Sequence, residues 1–77
     1  MPLIVVELLF RPEQEPVERN LPGTYATDAE AALAAKAAAF AIGPATYNEE
    51  ERYWEVEDDS GSTYVFFTAA APWRAPD

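Results

Sequence analysis

The sequence predicts an α+β fold of the order β-α-β-β, with one alanine-rich helix packed on a small, mostly antiparallel sheet. Three stretches carry that expectation. LIVVELLF at the start is β-branched or leucine at nearly every position; TYATDAEAALAAKAAAFAIGP has helix formers between capping residues; RYWEVEDDSGSTYVFF alternates about an acidic glycine turn.

Residues Leu3 to Phe10 form the first expected strand. Ile4, Val6, Leu8 and Phe10 share one face, and Leu3, Val5, Glu7 and Leu9 the other. Both faces are largely apolar, which suits a central strand or an edge strand waiting for a partner. Pro12 and Pro16 then interrupt regular structure, so RPEQEPVERNLPG reads as an extended connection turning at Pro22 and Gly23. A short strand over residues 23–26 can lead into the helix.

The helix is expected to start at Thr27, whose side chain caps it while Glu30 reaches back to the N–H of the cap. Asp28 and Glu30 lie where the helix dipole favours negative charge. Gly43 is expected to close the helix in left-handed geometry, and Pro44 forbids continuation. Leu33, Ala37, Phe40 and Ala41 follow helical spacing and are expected to form the buried stripe, with Phe40 its main core contact and Lys36 facing water. So many alanines let the helix lie close to a sheet.

The last part reads as a hairpin. Trp54 and Val56 alternate with Tyr53, Glu55 and Glu57, which sends the tryptophan and valine to the core. Asp58, Asp59, Ser60 and Gly61 form the turn, with Gly61 at the positive-φ position. Thr63 to Thr68 returns, Tyr64 and Phe66 on one side and Val65 and Phe67 on the other. Residues 72–77 read as an irregular tail, in which Trp73 can cover an edge of the core. Residues 1–77 make one domain, without internal repeats.

Composition narrows the function. A chain of 77 residues buries only about 60–65% of the surface its unfolded form exposes, so its core is marginal. It has no cysteine and no histidine, which removes disulfides, thiolate and imidazole metal sites, and the commonest nucleophile and general base. Paired carboxylates such as Glu49 to Glu51, or Glu55 with Glu57, lack the apolar pocket that raises one carboxyl for acid–base work. The chain is therefore expected not to be an enzyme and to use no cofactor. Counting back from Gly61, the helix–loop–helix calcium pattern meets Val56 where its first ligand belongs, so no dedicated metal site is expected. Phosphate-binding glycine loops are absent. The N-terminal apolar run is short, lacks a basic flank and is broken by Glu7, unlike a membrane span or signal peptide. A soluble, cytoplasmic protein is expected.

The formal net charge is -9, from 14 acids against 5 bases, which repels nucleic acid and anionic membranes as direct partners. Seven of those acids fall within NEEERYWEVEDDSG. Alternate strand residues lie about 6.6 Å apart. Tyr53, Glu55 and Glu57 thus form a ladder, extended by Asp58 and Asp59 at one end and by Glu49, Glu50 and Glu51 at the other. A Lys/Arg-lined groove built for phosphates can accept such a row, with Tyr53 as a rigid apolar contact. The same charge also serves solubility, and the arginines Arg11, Arg19, Arg52 and Arg74 are expected to pair locally with acids.

TYATDAEAALAAKAAAFAIG and RYWEVEDDSGSTYVFF together cover about half the chain. In their order of strand, Thr/Asp-capped helix and hairpin, they resemble small acidic phage-type anti-CRISPR proteins that act on type I systems. The resemblance implies a non-enzymatic inhibitor, working in the host cytoplasm, that occupies the positively charged surface where a surveillance complex receives target DNA. These inhibitors share no motif from which binding residues transfer, so the acidic site rests on charge and strand geometry. The alternative is a structural or interaction module that forms a homodimer through the first strand, where Leu3, Val5 and Leu9 make an apolar face that the helix leaves uncovered if it packs on the other side.

Overall fold

The computed structural model describes residues 2–71. Its elements run β1 (Leu3–Phe10), β2 (Val17–Asn20), α1 (Asp28–Phe40), β3 (Thr46–Asn48), β4 (Tyr53–Glu57) and β5 (Thr63–Ala70). The strands form one five-stranded sheet in the order β2-β1-β5-β4-β3, every neighbour antiparallel. The α+β class and the helix-on-sheet arrangement are as the sequence predicts, but two more strands are present. The expected tail, with Trp73 and Arg74, lies outside the described residues.

The apolar run of β1 is explained by its place: it is central, paired along its whole length with β5, from Leu3 opposite Ala70 to Phe10 opposite Thr63. Its other edge takes β2, with Glu7 opposite Arg19 and Leu9 opposite Val17. The link between them is a turn closed by the Gln14 N–H donating to the Arg11 carbonyl at 3.3 Å, with Pro12 second and Glu13 third at φ 59. A proline followed by a positive φ is the type II signature, and it folds the connection back as a hairpin. The strand expected over residues 23–26 shrinks to a single bridge, Tyr25 to Leu3.

The helix begins at the predicted cap, with one bond of the capping box changed. Thr27 accepts a bond from the Glu30 N–H at 3.2 Å, and its hydroxyl donates to the Glu30 carboxylate at 3.1 Å, instead of that carboxylate reaching the cap's N–H. Its end differs. Ala41 at the cap is right-handed, and Gly43 is not among the positive-φ glycines, which are Gly23 and Gly61. The last turn tightens instead, with Ile42 and Gly43 both donating to Ala39, and Pro44 stops it.

The buried stripe also differs from expectation. Ala31, Ala35 and Ala39 are buried, whereas Leu33 is 67% exposed and Phe40 48%. The reason lies on the sheet. Val5, Val56 and Phe66 already fill the space beneath the helix, with Trp54 and Tyr64 beside them. Only a helix face of methyl groups comes close enough to close that layer without voids. Phe66, 1% exposed, is the largest side chain so enclosed, and burial of such a ring is worth about 2–3 kcal/mol.

Register fixes what each side of the sheet carries. Under the helix lie Val5, Glu7 and Leu9 of β1, Trp54 and Val56 of β4, and Tyr64 and Phe66 of β5. The other side carries Ile4, Val6, Leu8, Phe10, Tyr53, Glu55, Glu57, Thr63, Val65 and Phe67 by the same pairing. The face with Leu3, Val5 and Leu9, expected to be uncovered and free to dimerise, is the one the helix covers. Both edges of β1 are occupied as well, so strand-to-strand pairing through β1 is closed.

Candidate functional site

Strand β4 builds the candidate site, and its two flanking turns complete it. Tyr53, Glu55 and Glu57 lie on the side of the sheet opposite the helix: Glu55 is opposite Val65 and Thr46, and Glu57 opposite Thr63. Both glutamates are exposed and Tyr53 is half-buried. The tyrosine is fixed at its rim, where the Asn48 side-chain amide donates to its hydroxyl at 3.2 Å.

Asn48 also shapes the turn before β4. Its side-chain oxygen accepts from the Glu51 N–H at 2.9 Å, and its carbonyl accepts from the Arg52 N–H at 2.8 Å. The turn is thereby closed from inside by one residue, which leaves Glu49, Glu50 and Glu51 exposed. Arg52 then re-enters the strand at φ 58, a conformation glycine or asparagine adopts at little cost and other residues at roughly 1–2 kcal/mol.

The turn after β4 handles its acids differently. One oxygen of Asp58 accepts from the Ser60 N–H at 2.9 Å, the Ser60 hydroxyl at 2.6 Å and the Ser62 N–H at 3.1 Å. The Ser60 hydroxyl bond above all, with the two backbone N–H groups, holds the Asp58 carboxyl below its ordinary value of 3.8. Tyr64 is pushed the other way, chiefly by burial and then by the Asp58 carboxylate beside it. Tyr64 belongs to the helix side of the sheet, so Asp58 leans away from the Glu55–Glu57 ladder. Asp59 stays exposed at the tip, and Gly61 takes the positive φ of 86 that the sequence predicts.

A shallow hollow of about 780 Å³ lies alongside the ladder. Its floor is apolar, from Leu8, Phe10, Val65 and Phe67, and one wall is polar, from Glu51, Arg52, Tyr53 and Glu55. Sequence reading placed the acids but missed the floor. The signal was present in β1 and β5, both apolar on both faces, but only their pairing brings those four side chains together.

Among the described residues, Arg11, Arg19 and Arg52 do little to neutralise the ladder. Among the described residues the only ion pair is Arg19 with Glu7, 3.1 Å apart across β2 and β1 on the helix side. Arg11 and Arg52 were expected to pair with acids and form no ion pair among the described residues; Arg52 borders both the hollow and a smaller cleft under the helix near Asp28 and Trp54. Trp54 itself packs between Phe40 and Tyr47, ring centres 5.5 and 5.0 Å away, with the Lys36 ammonium 5.8 Å from its ring. Lys36 is exposed as expected, and it also covers part of that ring.

No group of three acids converges as a metal site among the described residues. Among the described residues no helix is long and apolar enough to cross a membrane. Comparison with protein-family models, with curated proteins and with solved structures found no match.

Proposed function

We propose that this chain is a non-enzymatic binding protein that presents one end of the sheet face opposite the helix, around Tyr53, Glu55 and Glu57, to a positively charged protein surface. The observation that carries this reading is a row of carboxylates, without ion pairs among the described residues, beside an adjoining apolar hollow. Glu49, Glu50, Glu51, Glu55 and Glu57 form no ion pair among the described residues, and Glu51 and Glu55 wall a floor of Leu8, Phe10, Val65 and Phe67. Carboxylates steer the encounter and fix orientation, while Tyr53 and the floor supply the desolvated contact that slows dissociation. Asp58 is not part of the proposed contact, since its charge is already bound within its own turn.

Grooves that hold nucleic acid are one class of surface that combines Lys and Arg rows with apolar or aromatic contacts. The specific reading is an inhibitor of a nucleic-acid-handling complex, in phage-type form an anti-CRISPR protein that keeps target DNA from a type I surveillance complex. A competition assay tests it: labelled target DNA, purified surveillance complex and increasing amounts of this protein. Displacement should saturate, weaken as salt rises from low to physiological strength, and disappear in the triple variant Glu51→Lys, Glu55→Lys, Glu57→Lys. All three positions are exposed, so the variant should melt with the native protein. Binding that survives the triple reversal removes the proposed site; DNA that is never displaced removes the inhibitor reading.

A further inference from the structure

The outward side of α1 carries a second unusual surface. Leu33, at 67% exposure, and Phe40, at 48%, lie on the side of the helix opposite the buried Ala31, Ala35 and Ala39. Ala37 and Ala41 share their stripe and are exposed as well. Phe40 joins this stripe to Trp54 and through it to Tyr47, which is 43% exposed.

Charge separates this surface from the rest of the molecule. Residues 31–48 contain no acid and one base, Lys36, so they carry +1, and the remainder of the chain carries -10, since -9 less +1 is -10. The acid on the stripe itself is Glu30, seven residues before Ala37, and an antiparallel pairing about Ala37 sets it level with Pro44 of the other copy, at the opposite end of the helix from that copy's Asp28 and Glu30. Spacing adds a second argument. Leu33 stands four residues before Ala37 and Phe40 three after it. Two such helices laid antiparallel about a two-fold axis at Ala37 set Leu33 of each copy level with Ala41 of the other, about 1.5 Å along the axis from its Phe40. The small side chain falls where the axes come closest.

We propose that two copies of this chain associate through α1, helix against helix and antiparallel, with Ala37 at the two-fold axis. The surface is distinct from the acidic face, which lies across the sheet from the helix, so the dimer presents both acidic faces outward. The inference does not depend on what those faces bind.

Sedimentation equilibrium over a concentration series tests it. A reversible dimer is expected that tightens as salt rises, because screening relieves repulsion between two anionic chains. That is the opposite of the salt response expected for the acidic face. The double variant Leu33→Gln, Phe40→Gln should be monomeric at every concentration while keeping the native circular dichroism. Because the chain has no cysteine, Ala37→Cys reports the axis directly: a mild thiol oxidant should link it rapidly, since two-fold related Cα atoms at a close helix crossing come within disulfide reach. Glu55→Cys, across the sheet, should not cross-link beyond the collisional rate. A native chain that stays monomeric with a Kd weaker than ~1 mM overturns the proposal. So does a dimer that survives the double glutamine variant, or Glu55→Cys linking as fast as Ala37→Cys.

Discussion

The turns at the two ends of β4 are both acidic, with three acids before the strand and two after it, and they are chemically opposite. Glu49, Glu50 and Glu51 enter the strand without using their carboxylates, because Asn48 closes that turn with its own amide and carbonyl. Asp58 leaves the strand with its carboxylate accepting three hydrogen bonds, which reinforce the backbone bonds that close the turn. The first turn puts the strained φ on Arg52 and the second puts it on Gly61. Negative charge counted along a sequence is therefore not negative charge available to a partner. A short Asp near Ser and Gly bonds its own backbone; a Glu, one methylene longer, reaches past it into solvent.

Asp58→Ala should break this contrast most severely. It leaves the Ser60 and Ser62 N–H groups without their acceptor, and Ser62 is 5% exposed, so water replaces the bond poorly. Of the substitutions in these two turns, this one should lower the thermal midpoint furthest. The pH dependence has a definite sign. The folded state holds the Asp58 carboxyl below 3.8, so its stabilisation is complete above that value and is lost as pH falls through the folded value. Native protein and Asp58→Asn should differ in denaturant midpoint at pH 7 and converge in strong acid.

Gly61→Ala comes next. No atom lies within 4 Å of the position a Cβ would take, so the cost is that of the φ of 86 alone, about 1 kcal/mol in a urea titration. Arg52→Gly should act in reverse at the other turn, relieving the φ of 58 for a net gain of about 0.5 kcal/mol after the entropy of glycine is subtracted. A loss there would show that the guanidinium holds the hollow together. The smallest effect belongs to the triple change of Glu49, Glu50 and Glu51 to Gln. Stability should move by less than about 0.5 kcal/mol, while the salt dependence of partner binding becomes visibly shallower.

Much of the hairpin was legible because its residues decide their own geometry. Gly61 tolerates positive φ, Thr27 caps, and Trp54 and Val56 alternate with acids; each feature is local and each is found in the structure. The strands β2 and β3 were not legible. VERN and TYN are polar and mostly exposed, with no alternation to detect, and they become strands only because β1 and β4 offer them open edges. The helix misled for a different reason. With alanine on every side, its two large residues, Leu33 and Phe40, marked the expected buried stripe, and both are on the outside.

What the sequence by itself determined is the identity of the pieces: two apolar strands, a capped helix, an acidic hairpin and an excess of negative charge. Their caps, turns and alternation act within a few residues. Which side of the helix is buried, which acids form no ion pair among the described residues, and that Leu8, Phe10, Val65 and Phe67 meet beside Glu55 were decided only by tertiary structure. Those outcomes depend on volumes and neighbours from strands more than fifty residues apart, such as Leu8 and Val65, and no local window contains them.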